Sequence, residues 1–211
     1  MAQIGDYLTK TYIMQTNNFR PKYNAEKVYR SIVAELTKLL AESGVTIELN
    51  PDNKHVMGQL ALWFSNDERF ESDLRKGIMI KGGVGTGKTK IVQALKKTIE
   101  LAQQDPISFI HATDLQELYT SKREEEIAKH KVRKLVIVDD LGVECVETKH
   151  FGNVVEPFND LFDYRYRHGK QTVITTNLIP DKIRLMYGDR IADRFRETIY
   201  VLTLDGKSLR K

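Results

Sequence analysis

Residues 82–89, GGVGTGKT, match the pattern G-x-x-x-x-G-K-[ST] in full, and this pattern requires a particular arrangement of strand and helix around it. In this pattern the glycines let backbone N–H groups close around phosphate oxygens, and the helix that follows adds the positive end of its dipole. A strand must therefore precede the loop and a helix must follow it. GIMIK at 77–81 predicts the strand, and Ile91, Leu95 and Ile99 recur at four-residue spacing, which predicts the helix.

The loop predicts a site for the phosphates of ATP. In such a site Lys88 reaches the β- and γ-phosphates and the Thr89 hydroxyl binds Mg²⁺. A glycine-rich turn with an exposed lysine is the alternative, but four glycines followed by Lys-Thr serve no evident packing need. The predicted nucleotide contacts within the loop and the first helical turn are Gly82, Gly83, Val84, Gly85, Thr86, Gly87, Lys88, Thr89 and Lys90.

Polar side chains follow two further apolar runs. Asp139 and Asp140 come directly after LVIV at 135–138, and Asn177 follows VITT at 173–176. Asp139 is predicted to hold Mg²⁺ through water and Asp140 to polarise the attacking water. Asn177 is predicted to lie beside the γ-phosphate and to position that water. An ordinary polar turn after a buried strand is the alternative at both places.

Short apolar runs alternate with stretches of helical spacing from Gly77 onward. The predicted strands are 77–81, 107–112, 134–139, 171–176 and 198–203, and the predicted helices are 88–103, 114–130, 152–168 and 181–196. Strands without polar alternation are buried on both faces, and helical crossovers between them indicate a parallel sheet covered on both sides. The fold class predicted for this part is α/β.

The first fifty residues form a separate predicted segment. An amphipathic helix is predicted over 25–43, with Asn24 as its N-cap and Gly44 as its stop. Its apolar stripe consists of Val28, Ile32, Leu36, Leu39 and Leu40. The apolar residues 45–49 run into the turn cluster NPDN at 50–53, which is the predicted boundary, and another helix is predicted over 54–64. We predict that 1–50 is a small helical segment that docks a partner and that 51–211 is the ATPase domain.

Composition narrows the class of protein. The 211 residues carry 33 Lys+Arg against 29 Asp+Glu, a net charge of +4, and 41% of them are hydrophobic, which excludes a disordered chain. Cys145 is the single cysteine, so no intramolecular disulfide forms, and no apolar run reaches bilayer-spanning length. The start of the sequence lacks the features of a secretory signal, so a cytoplasmic location is predicted. The modest basic excess permits contact with nucleic acid without establishing it.

Five motifs occur together in a fixed order: KGGVGTGKT at 81–89, VIVDDLG at 136–142, ITTN at 174–177, GDRIADRFRE at 188–197 and GKSLR at 206–210. Their combination resembles the AAA+ ATPases of the DnaC/DnaI helicase-loader family, whose close relatives are the IstB-type transposition helper ATPases. The resemblance covers roughly residues 51–211. It implies a P-loop NTPase (AAA+) core with a five-stranded parallel sheet sandwiched by helices, ATP at subunit boundaries, and no separate C-terminal lid.

The resemblance also assigns arginines. Within 188–197 it makes Arg194 the preferred arginine finger for the neighbouring subunit's site, with Arg190 as its support, and Arg196 remains open. Arg210 matches the family's sensor-2 position. Asp140 departs from the pattern, because many AAA+ proteins carry Glu there. From the residues alone, an ion-paired solvated helix face explains these arginines equally well, since Asp189, Asp193 and Glu197 lie between them.

Three functions follow as hypotheses. The first is an ATP-dependent homo-oligomer that loads a replicative helicase onto single-stranded DNA. The cations between Lys122 and Lys134 would follow the DNA backbone and Tyr119 would stack a base, although a solvated helix face is an equally good reading of this cluster. The second is a transposition helper that binds duplex DNA and a transposase. The third is an adapter switched by ATP with little turnover.

Overall fold

The structure is a computed structural model that describes residues 23–44, 49–103 and 107–205. Its strands are β1 (Gly77–Lys81), β2 (Ser108–His111), β3 (Leu135–Leu141), β4 (Thr148–His150), β5 (Asn153–Val155), β6 (Gln171–Thr176) and β7 (Ile199–Thr203). Five of them form one parallel sheet in the order β2-β3-β6-β1-β7, and β4 and β5 pair antiparallel in a separate hairpin. The predicted five-stranded parallel sheet is therefore confirmed.

Helices cover both faces of this sheet. They are α1 (Ala25–Ala41), α2 (Pro51–Phe64), α3 (Lys88–Gln103), α4 (Ala112–Thr120), α5 (Glu124–Val132), α6 (Pro157–Arg167) and α7 (Pro180–Thr198). Helices α1, α2 and α3 share one core with Ile78 and Ile80 of β1. Helices α4 to α7 share the opposite core with Met79 of β1 and Ile174 of β6. None of these helices has the length and apolar character that a bilayer crossing requires.

The structure corrects several predicted helices. The predicted helix 114–130 is two helices, because the chain turns through Lys122 in a left-handed conformation (φ 56°). The predicted helix 152–168 begins only at Pro157, and the hairpin of β4 and β5 occupies the residues before it. Helix α2 begins at Pro51, ahead of the predicted start, because the Asn50 side chain accepts a hydrogen bond from the Asn53 N–H and caps it.

The N-terminal helix packs on the same core as α3 and the sheet. The side chains of Val28, Ile32, Leu36 and Leu40 are buried in the same core as α3. The hydroxyls of Ser31 and Thr98 also lie 3.2 Å apart across the two helices. The amphipathic stripe is thus used for folding and is not free to dock a partner. The boundary at residue 50 and the docking role of segment 1–50 stay predictions.

Arg165 joins the sheet to the end of α5 from a fully buried position on α6. It is 0% exposed, and its guanidinium donates to the carbonyl oxygen of Arg133 at 2.8 Å, to that of Gln171, and to the Thr172 hydroxyl at 3.0 Å. Further carbonyls from the end of α5 and the start of β3 also accept from it. Burial lowers the pKa of Arg165 to about 9. This side chain therefore fixes where β3 and β6 begin.

Arg165→Met is expected to lower the free energy of unfolding by about 3–5 kcal/mol, because it leaves several buried carbonyls without a donor. Arg167→Met is the matched control on the same helix. Arg167 is exposed and pairs with Asp163, so its loss should cost less than about 1 kcal/mol. Urea denaturation of both variants measures the difference. Equal stability of the two would show that Arg165 does not join these elements.

Candidate nucleotide site

The glycine-rich loop connects β1 to α3 at the carboxyl edge of the sheet. Its first N–H, from Gly82, donates to the carbonyl oxygen of Thr176 at 3.2 Å, which ties the loop to β6. A Cβ at Gly82 would lie 2.2 Å from the carbonyl oxygen of Leu204, so a larger residue does not fit there. Gly87 adopts a left-handed conformation (φ 95°) just before α3 begins. The loop thus wraps around the N-terminus of α3, as a phosphate site requires.

Lys88 is buried within this loop. Its ammonium donates to the carbonyl oxygens of Gly82 at 3.0 Å and Gly83 at 2.7 Å, and to Oδ1 of Asn177 at 2.5 Å. The structure therefore brings Lys88 and Asn177 together, because β6 lies next to β1 in the sheet. The contact of Asn177 with a γ-phosphate stays a prediction.

Thr89 and Asp139 meet beside the loop. The Thr89 hydroxyl donates to Oδ1 of Asp139 at 3.2 Å, and the Thr175 hydroxyl donates to the same oxygen at 2.5 Å. Asp139 is fully buried, and burial raises the pKa of its carboxyl above the ordinary value, while the hydrogen bond from Thr175 opposes this. A hydroxyl and a carboxylate oxygen at this separation are ligands that suit Mg²⁺. The residues present therefore fit that ion.

The strand β3 is irregular where the two carboxylates occur. Its pairing with β6 shifts between Val138 and Leu141, and Asp140 has a left-handed backbone (φ 55°), which is uncommon for a residue other than glycine. The Asp140 N–H donates to the Thr175 hydroxyl at 2.8 Å. Backbone strain of this kind is concentrated at functional sites. Here the irregular backbone gives the two consecutive aspartates different exposure to solvent: Asp139 is fully buried and Asp140 is half-buried.

His111, the last residue of β2, belongs to none of the sequence motifs and was not predicted to lie at this site. Its Nδ1 lies 3.2 Å from Oδ2 of Asp139, and ligand atoms of His111, Asp139 and Asp140 all lie within 4.8 Å of one another. A signal was available, because His111 is a polar residue at the carboxyl end of a strand next to β3. Polar groups at that edge of a parallel sheet converge on one site.

Other predicted nucleotide contacts are placed as follows. Val84 is exposed on the loop, whereas the ammonium of Lys90 reaches the Ser43 hydroxyl at 3.2 Å. Lys90 thus joins α3 to the end of α1. Arg210 lies outside the described residues, so its sensor-2 role stays a prediction.

The arginines of α7 converge on one carboxylate. Arg194 pairs with Asp163 and lies 4.5 Å from the centre of the Tyr166 ring, and its side chain is 13% exposed. Nη2 of Arg190 lies 3.2 Å from the same carboxylate, yet its side chain is 71% exposed. Arg194 is turned inward by these contacts with α6, and its role as the arginine finger stays a prediction. Arg196 is exposed and pairs with Asp193 on its own helix.

The prediction that Tyr119 stacks a base is wrong. Tyr119 is buried, and its hydroxyl donates to Asp160 at 2.5 Å. The exposed aromatic in this region is Phe151 at the tip of the β4–β5 hairpin, where the ammonium of Lys122 lies 4.8 Å from the ring centre. Phe158 and Phe162 of α6 are core residues.

Comparison with known sequences identifies a family. The sequence profile of the bacterial DnaA ATPase domain matches residues 68–201, which is more than half of the chain. The match includes the glycine-rich loop, the two aspartates, Asn177 and the arginine segment. No curated protein sequence matches this chain.

Solved structures share the fold at low identity. The DnaC helicase loader is 20% identical with a TM-score of 0.62, and the match covers 83% of this chain and 98% of DnaC. DnaI is also 20% identical, with a TM-score of 0.61 over 93% of this chain and 99% of DnaI. AMPPCP-bound DnaA from Aquifex aeolicus is 21% identical, with a TM-score of 0.56 over 77% of this chain and 50% of that protein. These likenesses confirm the predicted fold.

Proposed function

This chain belongs to the family of the bacterial DnaA ATPase domain, and on that premise we propose that it is a DNA-replication ATPase that hydrolyses ATP with Mg²⁺. The observation that carries the proposal is the meeting of Lys88, Asn177, Thr89 and Asp139 at one edge of the sheet. These side chains come from α3, β3 and the end of β6, which are distant in sequence. Stabilisation of the hydrophobic core does not require these four polar side chains to cluster around a glycine-rich loop.

Each residue has a chemical part in hydrolysis. Lys88 exchanges its carbonyl partners for the β- and γ-phosphates, and Thr89 and Asp139 would hold Mg²⁺. Mg²⁺ would neutralise charge on the β- and γ-phosphate oxygens. Asp140 accepts a proton from the attacking water, whose oxygen forms a bond to the γ-phosphorus as the bond to the β-phosphate oxygen breaks. Asn177 orients that water, and the products are ADP and inorganic phosphate.

We propose that copies of the chain assemble side by side through ATP. Val84, Val143 and Ile179 follow β1, β3 and β6, so they lie at the nucleotide edge of the sheet, and all are exposed apolar side chains. Exposed apolar groups at one edge are typical of a surface that another protein covers. Arg190 belongs to the helix that follows Ile179, and a second copy at this edge would bring its guanidinium to the neighbouring nucleotide.

Single-stranded DNA is the proposed nucleic-acid ligand. Phe151 is 61% exposed at a hairpin tip, the ammonium of Lys122 lies 4.8 Å from its ring centre, and the exposed Lys149 is two residues away in the sequence. An exposed aromatic ring flanked by cations stacks a splayed base and attracts the adjacent phosphates.

A replicative helicase is the proposed protein partner, and the resemblance to the helicase loaders supports it. Failure of the helicase to co-purify with the chain in the presence of ATP would remove the loading role.

Phe151→Ala is expected to weaken binding of single-stranded DNA by about 5- to 100-fold, because one stacked base contributes about 1–3 kcal/mol. Val154→Ala is the matched control, since Val154 is an equally exposed side chain on the same hairpin that offers no aromatic face. Fluorescence anisotropy with labelled single strands and duplexes measures both. Unchanged binding in Phe151→Ala would exclude the hairpin, and a preference for duplex would favour the transposition-helper hypothesis.

A further inference from the structure

His111 occupies a place that the hydrolysis scheme leaves without a role. It ends β2, and in the register between β2 and β3 it lies directly beside Asp139. Its Nδ1 is 3.2 Å from Oδ2 of Asp139, and its ring meets that of Phe109 edge-on at 5.4 Å. The imidazole thus lies beside Oδ2, whereas Thr89 contacts Oδ1 of the same carboxylate.

The two oxygens of Asp139 have unequal surroundings. Oδ1 accepts hydrogen bonds from Thr89 and Thr175. Oδ2 is buried and makes no hydrogen bond within the described residues, and His111 Nδ1 lies beside it. A buried carboxylate oxygen needs a donor or an ion, because water is excluded from it. A small rotation of the imidazole would supply that donor.

We propose that His111 is a positioning residue that holds Oδ2 of Asp139, so that Oδ1 stays aligned with Thr89 at the metal position. The inference rests on the proposed ATPase function and adds a residue to its metal site. Without the imidazole, the carboxylate is held among the described residues only through Oδ1, so its alignment with Thr89 is less restrained. Residues that hold a ligating carboxylate typically contribute about 10- to 100-fold to metal affinity or activity.

A purely structural role for His111 is poorly supported. The residue is the N-cap of α4, but its side chain makes no capping hydrogen bond. Its side chain is 41% exposed, so truncation creates no closed cavity. An asparagine here would suit the N-cap position, since asparagine is among the preferred N-cap residues. Substitutions at this position therefore change the contact with Asp139 while preserving the fold.

Three substitutions at His111 distinguish the effect of the hydrogen-bond donor at Nδ1 from the effect of side-chain volume. The Nδ2 atom of asparagine takes the place of histidine Nδ1, whereas the amide nitrogen of glutamine takes the place of Nε2. His111→Ala and His111→Gln are expected to weaken binding of Mn²⁺, used as the probe ion with a non-hydrolysable ATP analogue, by about 10- to 100-fold. His111→Asn is expected to retain wild-type affinity. Electron paramagnetic resonance of free Mn²⁺ measures this without turnover, and nucleotide affinity in EDTA should be unchanged in all three.

The outcomes distinguish this inference from the proposed function. If the wild-type chain binds neither the ATP analogue nor Mn²⁺ with it, the proposed ATPase function fails. If the wild type binds both and His111→Ala binds Mn²⁺ equally well, the positioning role alone fails. The positioning role also fails if His111→Ala and His111→Asn both bind Mn²⁺ more weakly than the wild type. In that case a donor at the place of Nδ1 would not be what maintains the metal affinity. Thermal midpoints of the variants close to that of the wild type exclude a loss of fold as the cause.

Discussion

Lys88→Ala is expected to weaken ATP binding by about 10- to 100-fold, because it removes charge-assisted hydrogen bonds worth about 1.5–3 kcal/mol to the phosphates.

Asp140→Asn is expected to keep ATP affinity and to reduce hydrolysis by about 10²- to 10⁴-fold, since it removes the group that accepts the proton from water. Titration with a fluorescent ATP analogue and phosphate release measure the two effects separately. The two variants should therefore differ strongly: Lys88→Ala loses ATP affinity, whereas Asp140→Asn keeps ATP affinity and loses hydrolysis.

Lys97→Ala is the control for Lys88→Ala. Lys97 is an exposed lysine on the same helix, away from the loop, so both ATP affinity and turnover should stay at wild-type values. Wild-type hydrolysis by Asp140→Asn would refute the role of that carboxylate. If Asp140→Asn also retained helicase loading while Lys88→Ala lost it, the chain would be an adapter switched by ATP with little turnover.

Arg190→Ala is expected to lower the turnover of assembled protein by about 10³- to 10⁵-fold while leaving ATP affinity unchanged, because an arginine supplied by a neighbour acts on the transition state. The exposed position of Arg190 carries this expectation. Phosphate release from equimolar mixtures tests it. Mixing Arg190→Ala with Lys88→Ala should restore activity, since some sites then combine an intact loop with an intact arginine.

Arg194→Ala should behave differently. Arg194 pairs with Asp163 and lies against Tyr166, so its loss should loosen the contact between α6 and α7 and lower the unfolding midpoint. Each arginine variant is mixed with Lys88→Ala and phosphate release is measured. If activity is restored with Arg194→Ala but not with Arg190→Ala, the finger role belongs to Arg194. Restoration with neither would place the trans-acting arginine elsewhere.

Much of the fold was predictable because its signals are local. The glycine-rich loop needs particular residues at fixed spacing, and buried parallel strands are continuous apolar runs. The contact of Lys88 with Asn177 depends on β6 lying next to β1, and no local signal in the sequence specifies that strand order. The break between α4 and α5 was harder to foresee, because a left-handed residue such as Lys122 carries no glycine or proline signal.

Long-range contacts account for what the sequence did not reveal. The inward turn of Arg194 depends on Asp163 and Tyr166 from another helix, and spacing within α7 says nothing about them. The N-terminal helix has an amphipathic stripe that suits either a partner or the chain's own core, and only packing against α3 decides between them. Tyr119 is buried for the same reason, since its partner Asp160 belongs to α6.

Completion of the site by a neighbouring copy is tested by the rate of phosphate release per chain, measured with Mg²⁺, ATP and single-stranded DNA over a wide range of protein concentration. An ATPase site completed by a neighbouring copy predicts that this specific rate is low in dilute protein and rises as chains assemble. The rise should be absent in Arg190→Ala. A specific rate that stays constant with concentration would contradict completion by a neighbour, and no phosphate release at any concentration would contradict hydrolysis itself.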